Sequence, residues 1–315
     1  MSYKYLINGA EVENIVRPSW SDDLQNFSIP FSFSTYATHE VGSLFQILTQ
    51  TGETVLKGVI TDFEQTDENV FQYSGFDFGF YINQNEIIEQ LKQIKISDAI
   101  KKICENYSVP VGNIPEMSAT VSQIFKDKKL SDVIKELMSL AIKKGCIKDV
   151  YTTCAKGVFE ILPYETITDL SGEMGTAFSI ISTKTLHSPS IKVSMQDMRN
   201  RILIADNSAE NLKYIKAEDA ESISQYGLLQ EVETVDTQKT NNLPQLVQSK
   251  LKEMNKLSKT YDGSMIGDYR MHKGVIIPIG DEKYGIKGNF LIKSSSHQID
   301  GTVEKVAVSL EMRDE

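Results

Sequence analysis

The sequence predicts an α+β fold that is mainly β, with an α/β unit set between two β-rich stretches. Three observations carry this expectation. Apolar residues recur at every second position in the first ninety residues and again near the C-terminus. Two amphipathic helical stripes occupy the middle, and a third interrupts the second β stretch. At 315 residues the chain has room for two or three compact units, each able to bury a core without staples. The expected divisions are 1–84, 85–163 and 164–315.

In the first stretch, Lys4 to Ile7 and Ala10 to Ile15 flank Asn8-Gly9, a dipeptide suited to the two positive-φ positions of a type I′ turn, so a hairpin is expected. Phe27, Ile29, Phe31 and Phe33 alternate, and Pro30 between them points to an edge strand or a bulge. Strands are expected at Leu44 to Leu48, Val55 to Phe63 and Val70 to Tyr73, with a turn at Thr51-Gly52. Strands this short and closely spaced suggest a small barrel or sandwich.

In the middle, Ser97 is the expected cap of a helix carrying Ile100, Ile103, Cys104 and Tyr107 on one face. Ser131 begins a second helix, with Val133, Ile134, Leu137, Met138 and Ala141 inward and Gly145 as its stop. The octets SDAIKKIC (97–104) and SDVIKELM (131–138) look alike. Shared capping chemistry can produce that likeness without a duplication. Cys146 to Val150 and Gly157 to Leu162 then read as a hairpin.

Beyond residue 180, Ile191 to Ser194, Ile202 to Ala205 and Leu228 to Val235 are candidate strands. A helix near 243–257 follows, with Leu243, Leu246, Val247, Leu251, Met254 and Leu257 as its stripe, Asn242 as cap and Pro244 in the first turn. Val275 to Ile279, Phe290 to Ser294 and Val303 to Met312 return to strands, the last with Val306, Val308, Leu310 and Met312 on one face.

The net charge of −10 argues against a phosphate-gripping surface, so no specific nucleic-acid partner is expected. No window reaches the ~18 apolar residues of a membrane span, and the first ten residues lack the pattern of a secretory signal. Cys104, Cys146 and Cys154 show no paired spacing and read as buried thiols in a reducing compartment. There is no G-x-S-x-G or H-E-x-x-H, and His39, His187, His272 and His297 lack metal-ligand spacing. No catalytic residue, metal site or cofactor is therefore expected. The densest aromatic cluster, Tyr73, Phe76, Phe78, Phe80 and Tyr81, reads as core on alternate positions, with a subunit interface as the alternative. Trp20, the single tryptophan, would line a groove if the chain bound saccharide.

Three segments resemble the XkdQ/YqbQ family of phage tail proteins. Phe71 to Asn83 (FQYSGFDFGFYIN) is similar to a family segment with an aspartate, here Asp77, and a Tyr-Leu-Asn-like ending, here Tyr81-Ile82-Asn83. Ile82 stands where the family has Leu, a volume-conserving change. Asp219 to Gln230 (DAESISQYGLLQ) is similar to the family's Ser-Ile-x-x-Tyr-Gly-x-Leu-Gln signature, carried here by Tyr226, Gly227 and Gln230. Ile266 to Met312 resembles the family's ending through Gly274, a Phe-x-Ile strand and His297.

The resemblance implies two small tube-protein-like β-barrels, an inserted α/β domain and an extra helix in the second barrel. It further implies a structural baseplate hub of a contractile tail, in a phage or an R-type bacteriocin. Such a hub is a homotrimer that adapts a hexameric tail tube, or a tube-initiator protein, to a trimeric spike protein and meets baseplate wedge proteins. It would be assembled in the bacterial cytoplasm and released on lysis as part of a virion or tail-like particle. Some hubs carry a peptidoglycan hydrolase in the same chain, which makes a tail-associated hydrolase the competing reading.

Overall fold

Asn8 and Gly9 adopt φ of 51° and 82°, and between them they turn the chain from β1 (Tyr3–Ile7) into β2 (Ala10–Glu11) in the computed structural model of this protein. The structure describes residues 3–67, 69–167, 187–206, 214–235, 243–281, 286–301 and 303–313. One unit comprises residues 1–190 with 262–315, and a second comprises residues 191–261. Among the described residues no helix is long and apolar enough to cross a membrane.

The expected second arm of the hairpin is short, because β1 takes a longer partner. After β3 (Val16–Asp23) and β4 (Pro30–Thr35), β5 (Leu44–Thr49) pairs with all five residues of β1, from Tyr3↔Thr49 to Ile7↔Phe45. β6 (Thr54–Asp67) and β7 (Val70–Asp77) complete the first stretch. β4 is an interior strand, paired on one side with β3 and on the other with β7, which overturns the edge expectation drawn from Pro30. The physical reason is position: Pro30 is the first residue of the strand, where a missing N–H costs the ladder little.

The inner face of these strands is an aromatic stack. Phe33 and Phe45 have ring centroids 4.4 Å apart, Phe31 and Phe45 4.9 Å, and Phe33 and Tyr73 5.4 Å. Gly75 makes room for it, since a Cβ there would collide with the Val59 carbonyl and the Phe31 ring. Alternation stops at Asp77, because Gly79–Gln84 forms a helix, α1, rather than the strand expected through Phe80. The buried positions of β7 are accordingly Tyr73, Gly75 and Asp77, and Phe76 lies on the other, half-buried face.

The middle consists of two βα halves. β8 (Glu86–Lys95) runs straight into α2 (Ile96–Asn106), and β9 (Thr120–Lys129) straight into α3 (Leu130–Lys143). β8 and β9 pair antiparallel, and each carries one positive-φ residue three places before its helix, Gln93 and Asp127. The likeness of the two octets is therefore structural and extends well beyond a cap.

Ser97 and Ser131 are not the caps expected from sequence. Lys95 and Lys129 occupy the cap positions without a side-chain bond, and both serines are buried in the first turn. Each helix instead anchors its first amide on the other half: Ile96 N donates to Ala119 O, and Leu130 N to Asn85 O. A backbone acceptor thus does what the hydroxyl was expected to do. Ile100, Ile103, Cys104, Val133, Ile134, Leu137 and Ala141 are buried as expected, in a core that also takes in Phe27. Gly145 ends the second helix at φ 69°. β10 (Val150–Thr153) and β11 (Glu160–Pro163) form a hairpin whose first arm begins at Val150, where the expected arm from Cys146 was to end, and the short β12 (Glu165–Thr166) follows. Cys104 and Cys154 are buried thiols, whereas Cys146 is only partly covered.

β13 (His187–Ser194) leads into the second unit. There β14 (Arg201–Asp206) lies between β15 (Tyr214–Glu218) and β16 (Gln230–Val235), pairing antiparallel with the first and parallel with the second. α4 (Ala220–Tyr226) connects them, and α5 (Leu243–Met254) covers one face through Val247 and Leu251 on Ile202, Ile204 and Ala217. β15 and α4 carry too little apolar periodicity to be read from sequence. The expected cap Asn242 lies outside the described residues.

β17 (Ser258–Ile266) leads back to β18 (Val275–Asp281), β19 (Ile286–Asp300) and β20 (Val303–Arg313). The large sheet runs β20-β19-β3-β4-β7-β6-β5-β1-β2, so N- and C-terminal thirds share one sheet. Its path is open, and among the described residues no ladder closes it into a barrel. On β20 the buried positions are Glu304, Val306, Val308 and Leu310, and Met312 is exposed.

Candidate functional site

The seam between β3 and β19 places polar residues opposite one another inside the sheet. Trp20 pairs with His297 and Asp22 with Ser295, and β20 brings Glu304 to the same face. The Trp20 and His297 rings stack at 4.6 Å and 7°. His297 Nδ1 lies 2.8 Å from Glu304 Oε1, and Tyr3 donates its hydroxyl to Glu304. Burial, together with the adjacent Glu304 charge, holds the Tyr3 hydroxyl well above the ordinary phenol range.

The chain of polar contacts continues from the ring. His297 Nε2 is 3.1 Å from both Ser295 Oγ and the Met271 carbonyl. Ser295 Oγ donates to Asp22 Oδ1 at 2.8 Å, and Lys273 N donates to both Asp22 oxygens at 3.2 and 3.1 Å. Lys273 Nζ then donates to the carbonyls of Asn26 and Asp23, at 2.7 and 3.1 Å. Burial pulls the Lys273 amine below its ordinary range, and the Asp22 charge beside it opposes that shift.

Sequence spacing could not reveal these pairings, because they join residues up to 301 positions apart. The distances among Ser295, His297 and Glu304 resemble those of a nucleophile, base and carboxylate. Their setting does not: Ser295 Oγ donates to Asp22 Oδ1, and His297 Nε2 lies as near to the Met271 carbonyl as to Ser295 Oγ, so both side chains are tied into the seam. Ser295 borders a serine-lined cavity of about 620 Å³, but only 2% of the residue is exposed. The arrangement is a buried cross-link between N- and C-terminal strands.

Asp77 forms a second buried joint. Its Oδ1 accepts from Ile29 N and Gly79 N, both at 3.0 Å, tying the end of β7 to the entrance of β4 and to α1. Its Oδ2 has no partner among the described residues, and desolvation pushes the carboxyl up to about 7.

Of the other residues singled out from sequence, Trp20 and Tyr73 are buried, Phe76, Phe78 and Phe80 are half-buried, and Tyr81 is 41% exposed. Phe76 stacks on Phe80 at 5.6 Å, while Phe78 packs against the core of the α/β part. Trp20 edges a cavity of about 660 Å³ with Tyr151 and Tyr269, but His297 covers one ring face and Tyr3 meets it edge-on, 6.2 Å away. It offers no free platform for a sugar. His272 approaches Glu165 at 3.7 Å.

In the second unit the signature residues build a capped helix. Asp219 Oδ1 accepts from Ser222 N at 3.0 Å, as an N-cap does, and Gly227 ends the helix at φ 81°. Asn200, fully buried and not singled out from sequence, donates to Gly227 O at 2.7 Å and accepts from Leu229 N at 2.8 Å. Tyr226 closes α4 and Gln230 opens β16.

The fold these strands and joints define is that of phage tail proteins. It superposes, over 99% of this chain and 98% of the other, on the 43 kDa tail protein of prophage MuSo2 from Shewanella oneidensis, with a TM-score of 0.72 at 14% identity. The chain belongs to the YQBQ-like family, whose profile matches residues 19–313. It is 22% identical to YqbQ of Bacillus subtilis and 20% identical to XkdQ of the phage-like element PBSX of the same organism. Each match covers 97% of this chain and 95% of the relative.

Proposed function

We propose that this protein is a structural baseplate hub of a contractile tail, a homotrimer that joins a hexameric tail tube to a trimeric spike without catalysing a reaction. The supporting observation is family membership spanning nearly the whole chain, together with a fold shared end to end with a tail protein. In this reading the parts within 1–84 and 164–315 act as two like-shaped tube-type barrels, 85–163 is the inserted domain, and three copies present six similar faces. Tube or tube-initiator, spike and wedge proteins are its partners, within a phage or bacteriocin particle. Phe76, Phe80 and Tyr81 serve as an aromatic edge of a contact surface.

Localising the chain in images of assembled particles tests the proposal. A threefold density between tube and spike is expected, and particles that form intact after deletion of the chain would overturn it. Light scattering of the purified chain with its spike partner is expected to give a trimer. A cell-wall digestion assay is expected to show no activity, since Ser295 and His297 are buried within the sheet and Ser295 Oγ is bonded to Asp22.

A further inference from the structure

The two βα halves of the first unit obey one rule of register. Exchanging each residue of the first half with the one 34 positions later turns Glu86↔Lys129 into Lys95↔Thr120, Ile87↔Lys128 into Ile94↔Val121, and Glu89↔Phe125 into Leu91↔Gln123, and all six pairs are present. Gln90↔Ile124 maps onto itself, so a local twofold axis passes through that pair. The same exchange turns the bond from Ile96 N to Ala119 O into the bond from Leu130 N to Asn85 O. It also turns the Glu89–Lys102 ion pair into the Gln123–Glu136 hydrogen bond.

Two sequences on one local fold are a control for each other. On the inner face both halves are apolar, with Ile87 and Leu91 matched by Val121 and Phe125. Alternation puts Lys92 and its counterpart Lys126 on the outer face, where both are exposed and carry no ion pair among the described residues. Two outer positions break the match. Ile88, 71% exposed, stands where the second half has Ser122, and Ile124, 55% exposed, stands where the first half has Gln90. Ser122 serves the fold, since its Oγ accepts from Gln93 N at 2.8 Å, whereas Ile88 offers the corresponding Asp127 N no acceptor. Folding therefore asks for no apolar residue at either place. Ile88 lies two residues along β8 from the partner of Ile124, so the two isoleucines are diagonal neighbours on one exposed surface.

We infer that the outer face of the β8–β9 ribbon is a docking surface for a separate protein, one whose contact is apolar at its centre and acidic on both sides. Ile88 and Ile124 form the apolar centre beside the local axis, and Lys92 and Lys126, equivalent about that axis, flank it. The isoleucines supply the burial, while the lysines set orientation and partner choice. Charge decides the occupant. Residues 85–163 hold twelve lysines against ten carboxylates in a chain whose net charge is −10, so this part favours an acidic mate. The same ribbon of a second copy would set lysine against lysine. The inference takes its candidate partners from the hub reading and adds the surface that one of them meets.

The test gives each position, in the full-length chain, the residue that its counterpart already carries: Ile88→Ser together with Ile124→Gln. Purified tube, spike and wedge proteins of the same particle are titrated against parent and variant by calorimetry. The melting temperature is expected to stay within about 2 °C of the parent, since Ser122 and Gln90 occupy the equivalent places. Affinity for one of the three proteins is expected to fall by roughly 30-fold or more. Lys92→Glu/Lys126→Glu is expected to weaken the same complex by roughly 10-fold, and rising salt to weaken the parent complex. Parent-strength binding of all three proteins by both variants overturns the docking surface and leaves the hub reading standing. A melting temperature lowered by more than about 5 °C overturns it as well, because the isoleucines would then serve the fold. Loss of self-association in place of partner binding would give the surface to a second copy and overturn the assignment. A parent chain that binds none of the three overturns both readings.

Discussion

Strands β4 to β7 are held by aromatic rings, whereas β19 and β20 are joined to β3 by buried polar groups, although all belong to one sheet. The aromatic part is tolerant of detail, since burial is nondirectional and its cost on truncation follows volume. The polar part is directional: Asp22, Lys273, Ser295, His297, Glu304 and Tyr3 satisfy one another only in a single register. Such a seam adds little net stability over an apolar one but penalises misalignment of N- and C-terminal strands heavily.

The sharpest way to break this comparison is to remove one partner at each end. Phe45→Ala and Glu304→Ala are each expected to cost about 3–5 kcal/mol in chemical denaturation, for different reasons. Phe45 leaves a cavity, while Glu304 leaves His297 and the Tyr3 hydroxyl without their acceptor. The double change His297→Leu/Glu304→Leu is expected to cost less than Glu304→Ala alone, because only the Tyr3 hydroxyl then loses its acceptor and no cavity is left. A double variant less stable than the single would mean that the seam works by packing, like the aromatic end.

A smaller effect is expected at Asp77. Its folded carboxyl sits at about 7, above the unfolded value of about 3.9, so the unfolded chain loses this proton first as pH rises. The contribution of the protonated group is therefore complete below about pH 4 and lost as pH climbs through about 7. Asp77→Asn should flatten the dependence of melting temperature on pH across that window, by the equivalent of roughly 2–4 kcal/mol. Equal slopes in parent and variant would show that the carboxyl titrates as it does in water. Smallest of all, Phe63→Ala at the exposed edge is expected to change the stability of the monomer by within about 0.5 kcal/mol.

Much of the aromatic end was legible in the sequence, because alternation at Phe27, Ile29, Phe31 and Phe33 reports one buried face directly. Even there, Phe27 joins a different core from its neighbours, since it precedes the strand and packs beside Phe159. Gly145 and the Asn8-Gly9 turn were legible because a positive φ selects residue type locally. Ser97 and Ser131 misled, as a cap motif records a local preference that a nearby carbonyl can displace. His297 carried no local sign of its partners, which come from strands at both ends of the chain.

Features set within a few residues were legible in the chain alone: turn positions, the inward stripes of α2, α3 and α5, the alternation along β20, and membership of a family read from three short segments. Folding was needed to make β4 interior, to anchor the two βα halves on each other, and to bring the first and last thirds into one sheet. The reason is range. Periodicity and φ preference act between neighbours, whereas strand order and the pairing of Asp22, His297 and Glu304 depend on which distant segments exclude water together.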